Sequence, residues 1–212
     1  MKITILYDNT TINPQLEADW GFSCLVEAHG RNILFDTGAD GEILLRNMEV
    51  LSIDPLEVSD VFISHCHFDH TGGLSHFLNI NSRVCVHAPV TFKGIKKSRE
   101  TVYYDAPQMI YDGIGTTGQL SDIEQSMLVK SEKGILVITG CSHPPMESIL
   151  KTASTFGTVN AIIGGLHDFS KLNLLNNMDR ICPTHCTRYK EEINDRFAEK
   201  VISGGVGTIL EF

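Results

Sequence analysis

Short apolar and β-branched runs recur along the chain, separated by turn residues, and they predict a protein built mainly of strands. Lys2 to Tyr7 is the first such run. Phe22 to Glu27 and Asn32 to Phe35 form a second pair, with His29-Gly30-Arg31 between them, and predict a hairpin. Asp36-Thr37-Gly38 supplies turn chemistry at the end of that hairpin. From Gly41 to Leu51 the pattern changes: Ile43, Leu44, Met48 and Leu51 fall close to helical spacing. Asp60 to Ser64 then reads as a short buried strand, and a histidine-rich segment begins where it stops.

Gly72-Gly73 leads into a short helix, and Arg83 to His87 returns as a strand. Residues 89 to 118 are the least regular; they could cover a pocket as a lid or rim, and the sequence does not read their role. Glu124 to Lys130 and Gly134 to Thr139 predict a second hairpin. Two strand-then-helix units follow, Val159 to Ile163 before Ser170 to Asn176, and Arg180 to Pro183 before Tyr189 to Lys200. Gly207 to Phe212 closes the chain as a strand. The two halves are alike, each a hairpin followed by strand and helix units. So many short strands pack naturally as a sandwich of two mixed sheets with helices outside. No fixed short repeat and no linker divides the halves, so residues 1–212 are expected to form one domain.

Composition fits a folded chain: 42% of the 212 residues are hydrophobic and 20% charged. The formal net charge of −9 argues against a nucleic-acid partner, which needs a basic surface. The basic stretch Lys93 to Arg99 is read as a solvated face, with an anion clamp as its functional alternative. The opening residues lack a signal-peptide core, and no run approaches the roughly 18–20 apolar residues of a membrane span. A cytoplasmic protein is expected, with its six cysteines as free thiols. A homo-oligomer is compatible with this composition.

The chemistry concentrates in Ser64-His65-Cys66-His67-Phe68-Asp69-His70. On extended backbone, residues two apart point the same way, so His65 and His67 suit one cation at a strand end. Asp69 and His70, further round the turn, would face a second position. A polar surface loop is the bland alternative. Imidazole and carboxylate together favour zinc, iron or manganese over calcium or magnesium, and nickel is also compatible.

The run HCHFDH resembles the histidine-x-histidine-x-aspartate-histidine signature of the metallo-β-lactamase superfamily. Supporting blocks are Leu34 to Gly38, Thr71 to Leu74, Thr139 to His143, Gly164 to His167 and Pro183 to Cys186. Within the superfamily this ordered set is similar to the branch labelled dihydropterin-methyl-ribofuranosylaminobenzene-phosphate synthase. The resemblance implies an αββα sandwich with one or two divalent ions, zinc first among them, at one edge between the sheets. It assigns His65, His67 and His143 to one ion, and Asp69, His70 and His185 to the other. Asp36 would orient the metal loop by hydrogen bonding. Where the family has a bridging aspartate, Cys141 is expected to stand. Thiolate ligation, a bridge of hydroxide alone, or one weak or empty position then remain open.

The resemblance also implies a hydrolase using metal-activated hydroxide on a small ester, phosphoester or cyclic amide. Asp69 would orient the nucleophile, and His167 would donate to an oxyanion or leaving group. Asp168 beside it is a possible substitute ligand. His29, His76 and His87 are read as surface or packing residues, and Cys66 and Cys186 as packing residues. Asn9, Glu17 and Trp20 could rim the pocket. The competing classes are a di-iron redox protein and a non-enzymatic metal sensor. Only a small-molecule partner is expected.

Overall fold

The computed structural model describes residues 1–212. Strands β1 (Lys2–Tyr7), β2 (Ser23–Ala28) and β3 (Arg31–Phe35) are followed by helix α1 (Gly41–Val50), strand β4 (Asp60–Phe62), and helices α2 (Phe68–Thr71) and α3 (Leu74–Ile80). Strands β5 (Cys85–Pro89) to β10 come next without a helix: β6 (Glu100–Tyr104), β7 (Gln108–Tyr111), β8 (Ile114–Thr116), β9 (Met127–Ser131) and β10 (Gly134–Thr139). Helix α4 (Met146–Ala153), β11 (Val159–Gly165), β12 (Arg180–Thr184), helix α5 (Lys190–Arg196) and β13 (Ile209–Glu211) complete the chain. No helix is long and apolar enough to cross a membrane.

The strands form two sheets, in the orders β13-β1-β2-β3-β4-β5-β6 and β12-β11-β10-β9-β8-β7. Each sheet is mixed. Hairpin neighbours run antiparallel, whereas β3 to β6 in one sheet and β10 to β12 in the other run parallel. Strand alternation builds the layers. Ile33 and Phe35 of β3, with Leu136 and Ile138 of β10, point between the sheets, while Leu34 faces α1 and α3 and Val137 faces α4 and α5. The result is the expected four-layer αββα sandwich.

At the N-terminal ends of β4 and β5 a buried polar network joins the sheets. Asp60 accepts from Arg31 (3.0 Å) and from the Tyr111 hydroxyl on β7 (2.7 Å). His87 pairs with Asp60 at 3.1 Å through Nε2 and with Tyr104 at 2.8 Å through Nδ1. Burial would raise the Asp60 carboxyl, but these donors hold it well below the usual carboxylate range. With Cys85 it makes a third group of metal-ligating side chains. Both His87 nitrogens are already partnered, so the network needs no cation to satisfy it.

The structure corrects several expectations. Residues 89–118 are not an irregular cover: they contribute β6 to the edge of one sheet and the β7–β8 hairpin to the edge of the other. Short strands with exposed faces give a weak pattern, and the burial of β6 and β7 is only partial. The helix expected at 170–176 is a 3-10 turn over Leu172–Leu175. Helix α4 was not anticipated, although Pro144-Pro145 ahead of Met146 are consistent with a helix start. The strand expected from Glu124 begins at Met127, because Glu124 has other partners.

Phe35 and Phe62 stack between the sheets with ring centroids 5.4 Å apart, and each ends the strand that delivers the residues described next. Phe35→Ala is expected to destabilise the fold by about 3–5 kcal/mol in denaturant unfolding, through the cavity it leaves. A loss below about 1.5 kcal/mol would mean that this layer repacks freely.

Candidate metal centre

Five strand ends converge at one edge of the sandwich. Asp36 follows β3, Ser64 and His65 follow β4, the segment Gly140 to His143 follows β10, His167 follows β11 and His185 follows β12. All five strands belong to the parallel halves of their sheets, so their carboxyl ends open on the same side, where ligands bind in such folds. Gly140 permits a close approach between the two sheets. A Cβ there would lie 2.2 Å from Ser64 Oγ and 3.1 Å from His65 Nδ1.

After His65 the backbone turns once through α2, with His67 as its N-cap residue. That turn carries Asp69 and His70 away from His65 and His67. The Thr37 amide donates to the His70 carbonyl (2.8 Å), and the Phe22 amide to the Asp69 carbonyl (3.2 Å), which fixes the turn. Two groups of side chains result. His65, His67 and His143 offer ligand atoms within 4.8 Å of one another, and so do Asp69, His70, Cys141 and His185. The groups adjoin, with the His65 and His70 rings 4.3 Å apart. In the second group His70 Nε2 lies 3.2 Å from Cys141 Sγ, and His185 Nε2 lies 3.1 Å from Asp69 Oδ2.

Buried side chains aim these groups. Asp36 Oδ1 accepts from the Ser64 amide (2.7 Å), and Oδ2 from the Ser64 hydroxyl (2.6 Å) and from His70 Nδ1 (2.7 Å). Ser64 Oγ in turn lies 2.9 Å from His65 Nδ1. His185 Nδ1 pairs with Asn9 Oδ1 at 3.0 Å, while Asp8 Oδ1 accepts from the His185 amide at 2.8 Å. Glu124 supports the opposite sheet. Its Oε1 accepts from the amides of Gly140, Cys141 and Ser142 at 3.0–3.1 Å, and Oε2 accepts from His143 at 2.9 Å. The backbone is strained at the same place. Asp36, Ser142, His167 and His185 all adopt left-handed φ angles, between 42° and 61°. Each costs roughly 1–2 kcal/mol for an L-residue, and the surrounding hydrogen bonds hold it.

The electrostatics favour neutral imidazoles. Burial and the neighbouring histidines push His143 down to about 4 and His65 further still, and burial also lowers His185. His70 goes the other way: burial opposes its charge, but the Asp36 carboxylate outweighs that and raises it. For Asp69, burial is outweighed by His185 and His70, so its carboxyl stays well below the usual range. Nε2 of His65 and of His143 are buried without a hydrogen-bond partner, and the buried Nε2 of His185 faces the Asp69 carboxylate. Such atoms are costly unless something accepts their lone pairs, and a divalent cation does. The residues therefore fit one ion in each group.

All six ligands expected from the sequence lie in these groups, and Cys141 joins the second. Cys141 Sγ stands in the second group, where the Cys186 side chain and burial push its thiol well above the usual range. His167 stands at the rim, its half-exposed ring 5.0 Å from His143 and its Nδ1 3.1 Å from Asp168. Asp168 is not a substitute ligand, since it is exposed and paired with Arg188. Cys66 is exposed rather than packed, whereas Cys186 is half-buried against Cys141. Glu17 pairs with Arg46 away from the site. His29 donates to or accepts from nothing in either group, its Nε2 lying 2.8 Å from the Lys130 carbonyl. Sequence reasoning missed Glu124 and Asp8. Nothing local marks either, because their partners lie 16–19 and 177 residues away.

Comparison with known proteins agrees with this geometry. The sequence profile of the metallo-β-lactamase superfamily matches residues 21–115. The chain is 27% identical to the 7,8-dihydropterin-6-methyl-4-(β-D-ribofuranosyl)-aminobenzene-5′-phosphate synthase of Methanocaldococcus jannaschii, over 99% of this chain and 95% of that protein. A solved metal-dependent hydrolase of the β-lactamase superfamily superposes with a TM-score of 0.82 at 27% identity, covering 100% of this chain and 99% of that one. A metallo-β-lactamase fold protein of Bacillus subtilis matches over 100% and 99% with a TM-score of 0.72 at 12% identity, a likeness of fold.

Two outcomes follow from the supports and the charges. Glu124→Gln puts an amide N–H₂ among backbone N–H donors, so it is expected to cost about 1–3 kcal/mol in urea unfolding. A change within about 0.5 kcal/mol would show that the loop holds without the carboxylate. For chelator-stripped protein, the depressed His65, His143 and His185 contribute stability that is present above their unfolded value of 6.5 and lost as pH falls below it. His70, being raised, has its contribution fully present below 6.5 and loses it only at higher pH, so it does not oppose them in this window. The melting temperature is therefore expected to fall between pH 6.5 and 4, and a flat profile across that window would contradict the assignment.

Proposed function

We propose that the chain, whose sequence and fold are similar to those of the metallo-β-lactamase superfamily, is a metal-dependent hydrolase of a small ester, phosphoester or cyclic amide. The observation that carries this reading is the convergence of the unpartnered, buried Nε2 atoms of His65 and His143 with His185, the Asp69 carboxylate and the Cys141 thiol at one open edge. His65, His67 and His143 would hold one ion, and Asp69, His70, His185 and Cys141 a second. Zinc suits this mixture of imidazole, carboxylate and thiol best. When bound, such ions supply Lewis acidity and acidify water to a pKa of about 7.

The chain's own residues then divide the remaining work. Asp69 keeps one carboxylate oxygen toward His185 and His70, and the other is free to orient a nucleophilic water. His167, with Nδ1 tied to Asp168, leaves Nε2 for a proton donated to the leaving group. A groove of about 420 Å³ lined by His143, Pro144, Pro145, His167 and Phe169 adjoins this point and would receive that part of a small substrate. Asp36, Asn9 and Glu124 hold imidazole tautomers and loop geometry, so none needs to move during a reaction.

A synthase reading draws on the Methanocaldococcus relative alone, whose name is that of a synthase. The test is metal analysis of the purified chain followed by a panel of phosphodiesters, aryl esters and lactones, scored for cleavage. Two equivalents of zinc are expected, with turnover that falls at least about 100-fold in His167→Ala if that residue is the acid. Iron with oxygen uptake and no cleavage would sink the hydrolase, and tightly held metal with no turnover of any kind would favour a sensor.

A further inference from the structure

The chain contains one tryptophan, and it lies at the candidate centre. Trp20 is 57% exposed, yet its indole is not loose. Nε1–H donates to Asp69 Oδ2 at 3.0 Å, and the ring stands 4.9 Å from the His185 imidazole at a tilt of 58°. The backbone on its C-terminal side is stitched to the same residues. The Gly21 amide donates to Asn9 Oδ1 (3.2 Å), which also holds His185 Nδ1, and the Phe22 amide donates to the Asp69 carbonyl. A Cβ at Gly21, whose φ is +150°, would lie 2.5 Å from that carbonyl oxygen, so only glycine lets the segment sit this close.

These contacts concern the second group of ligands and leave the first untouched. Asp69 Oδ2 also faces His185 Nε2 at 3.1 Å and His70 Nε2 at 3.7 Å, the atoms between which a cation would be held. A carboxylate oxygen has two lone-pair directions. The indole takes one and leaves the other toward the cation position. The ring meanwhile covers His185 from the solvent side, while Asn9 fixes that imidazole from within.

We infer that Trp20 is a positioning residue that locks Asp69 and His185 as a ligand pair, so that affinity at the second cation position depends on its indole N–H and affinity at the first does not. The inference rests on the metal-centre reading above. Partners of this kind typically change metal affinity about 10- to 100-fold. Because Trp20 is the only tryptophan, its emission reports on the second position without a label.

The experiment titrates zinc into the stripped, full-length chain against a competing chelator, in the parent and in Trp20→Phe, which keeps a ring and removes the donor. In the parent, Trp20 emission is expected to change with the weaker, second equivalent, and a His65→Ala variant is expected to retain that change. In Trp20→Phe the second equivalent is expected to bind about 10- to 100-fold more weakly, while the first stays within about twofold and the melting temperature of stripped protein is unchanged. Equal affinities in parent and variant, or equal loss at both positions, would overturn the inference while leaving the metal centre intact. A parent that takes up no ion would overturn both.

Discussion

The centre depends on one buried carboxylate, that of Asp36. Moving a carboxylate out of water costs several kcal/mol unless donors surround it. Here the Ser64 amide and hydroxyl and the His70 ring supply them, all within 2.7 Å. One charge thereby fixes the end of β4, the ring orientation of His70 and, through Ser64, that of His65. Removing it would leave two ligand-bearing residues of different groups without a common reference. Glu124 does the corresponding work for the other sheet, gathering four consecutive amides of the turn that carries Cys141 and His143.

The arrangement explains why strain and polarity accumulate at one edge while the rest of the molecule is conventional. The three apolar clusters follow strand alternation and helix faces closely, and they supply a stiff frame. Against that frame, left-handed residues at four strand ends can be tolerated because each is tied by side-chain or backbone hydrogen bonds. The imidazoles are kept neutral by burial and by one another, which suits lone-pair donation to a cation and makes the stripped site sensitive to protons.

Most of the fold was legible from local pattern. The hairpins, α1, the strand before His65 and the two-sheet sandwich all follow from apolar runs and turn residues that sit next to one another. The failures share a cause. Strands β6 and β7 lie at sheet edges with partly exposed faces, so their pattern is diluted, and the 172–175 turn has too few residues to stabilise an α-helix alone. At the site, the candidate ligands were legible because the histidines and aspartate after the short strand at 60–64 are closely spaced. Their supports were not. Glu124 resembles any polar residue before a strand, and Asp8 any acidic residue after one. Each acquires its role only when the sheets bring it beneath a distant turn.

The tie between Asn9 and His185 joins residues 176 positions apart. During synthesis, the strand that ends beside Asn9 emerges well before His185. A partly made chain therefore carries the HCHFDH segment with neither His143 nor His185 to complete it. Bringing those residues together is a long-range event of the kind that slows folding. The order of the candidate ligands along the sequence thus separates the making of the HCHFDH segment from the completion of the site around it.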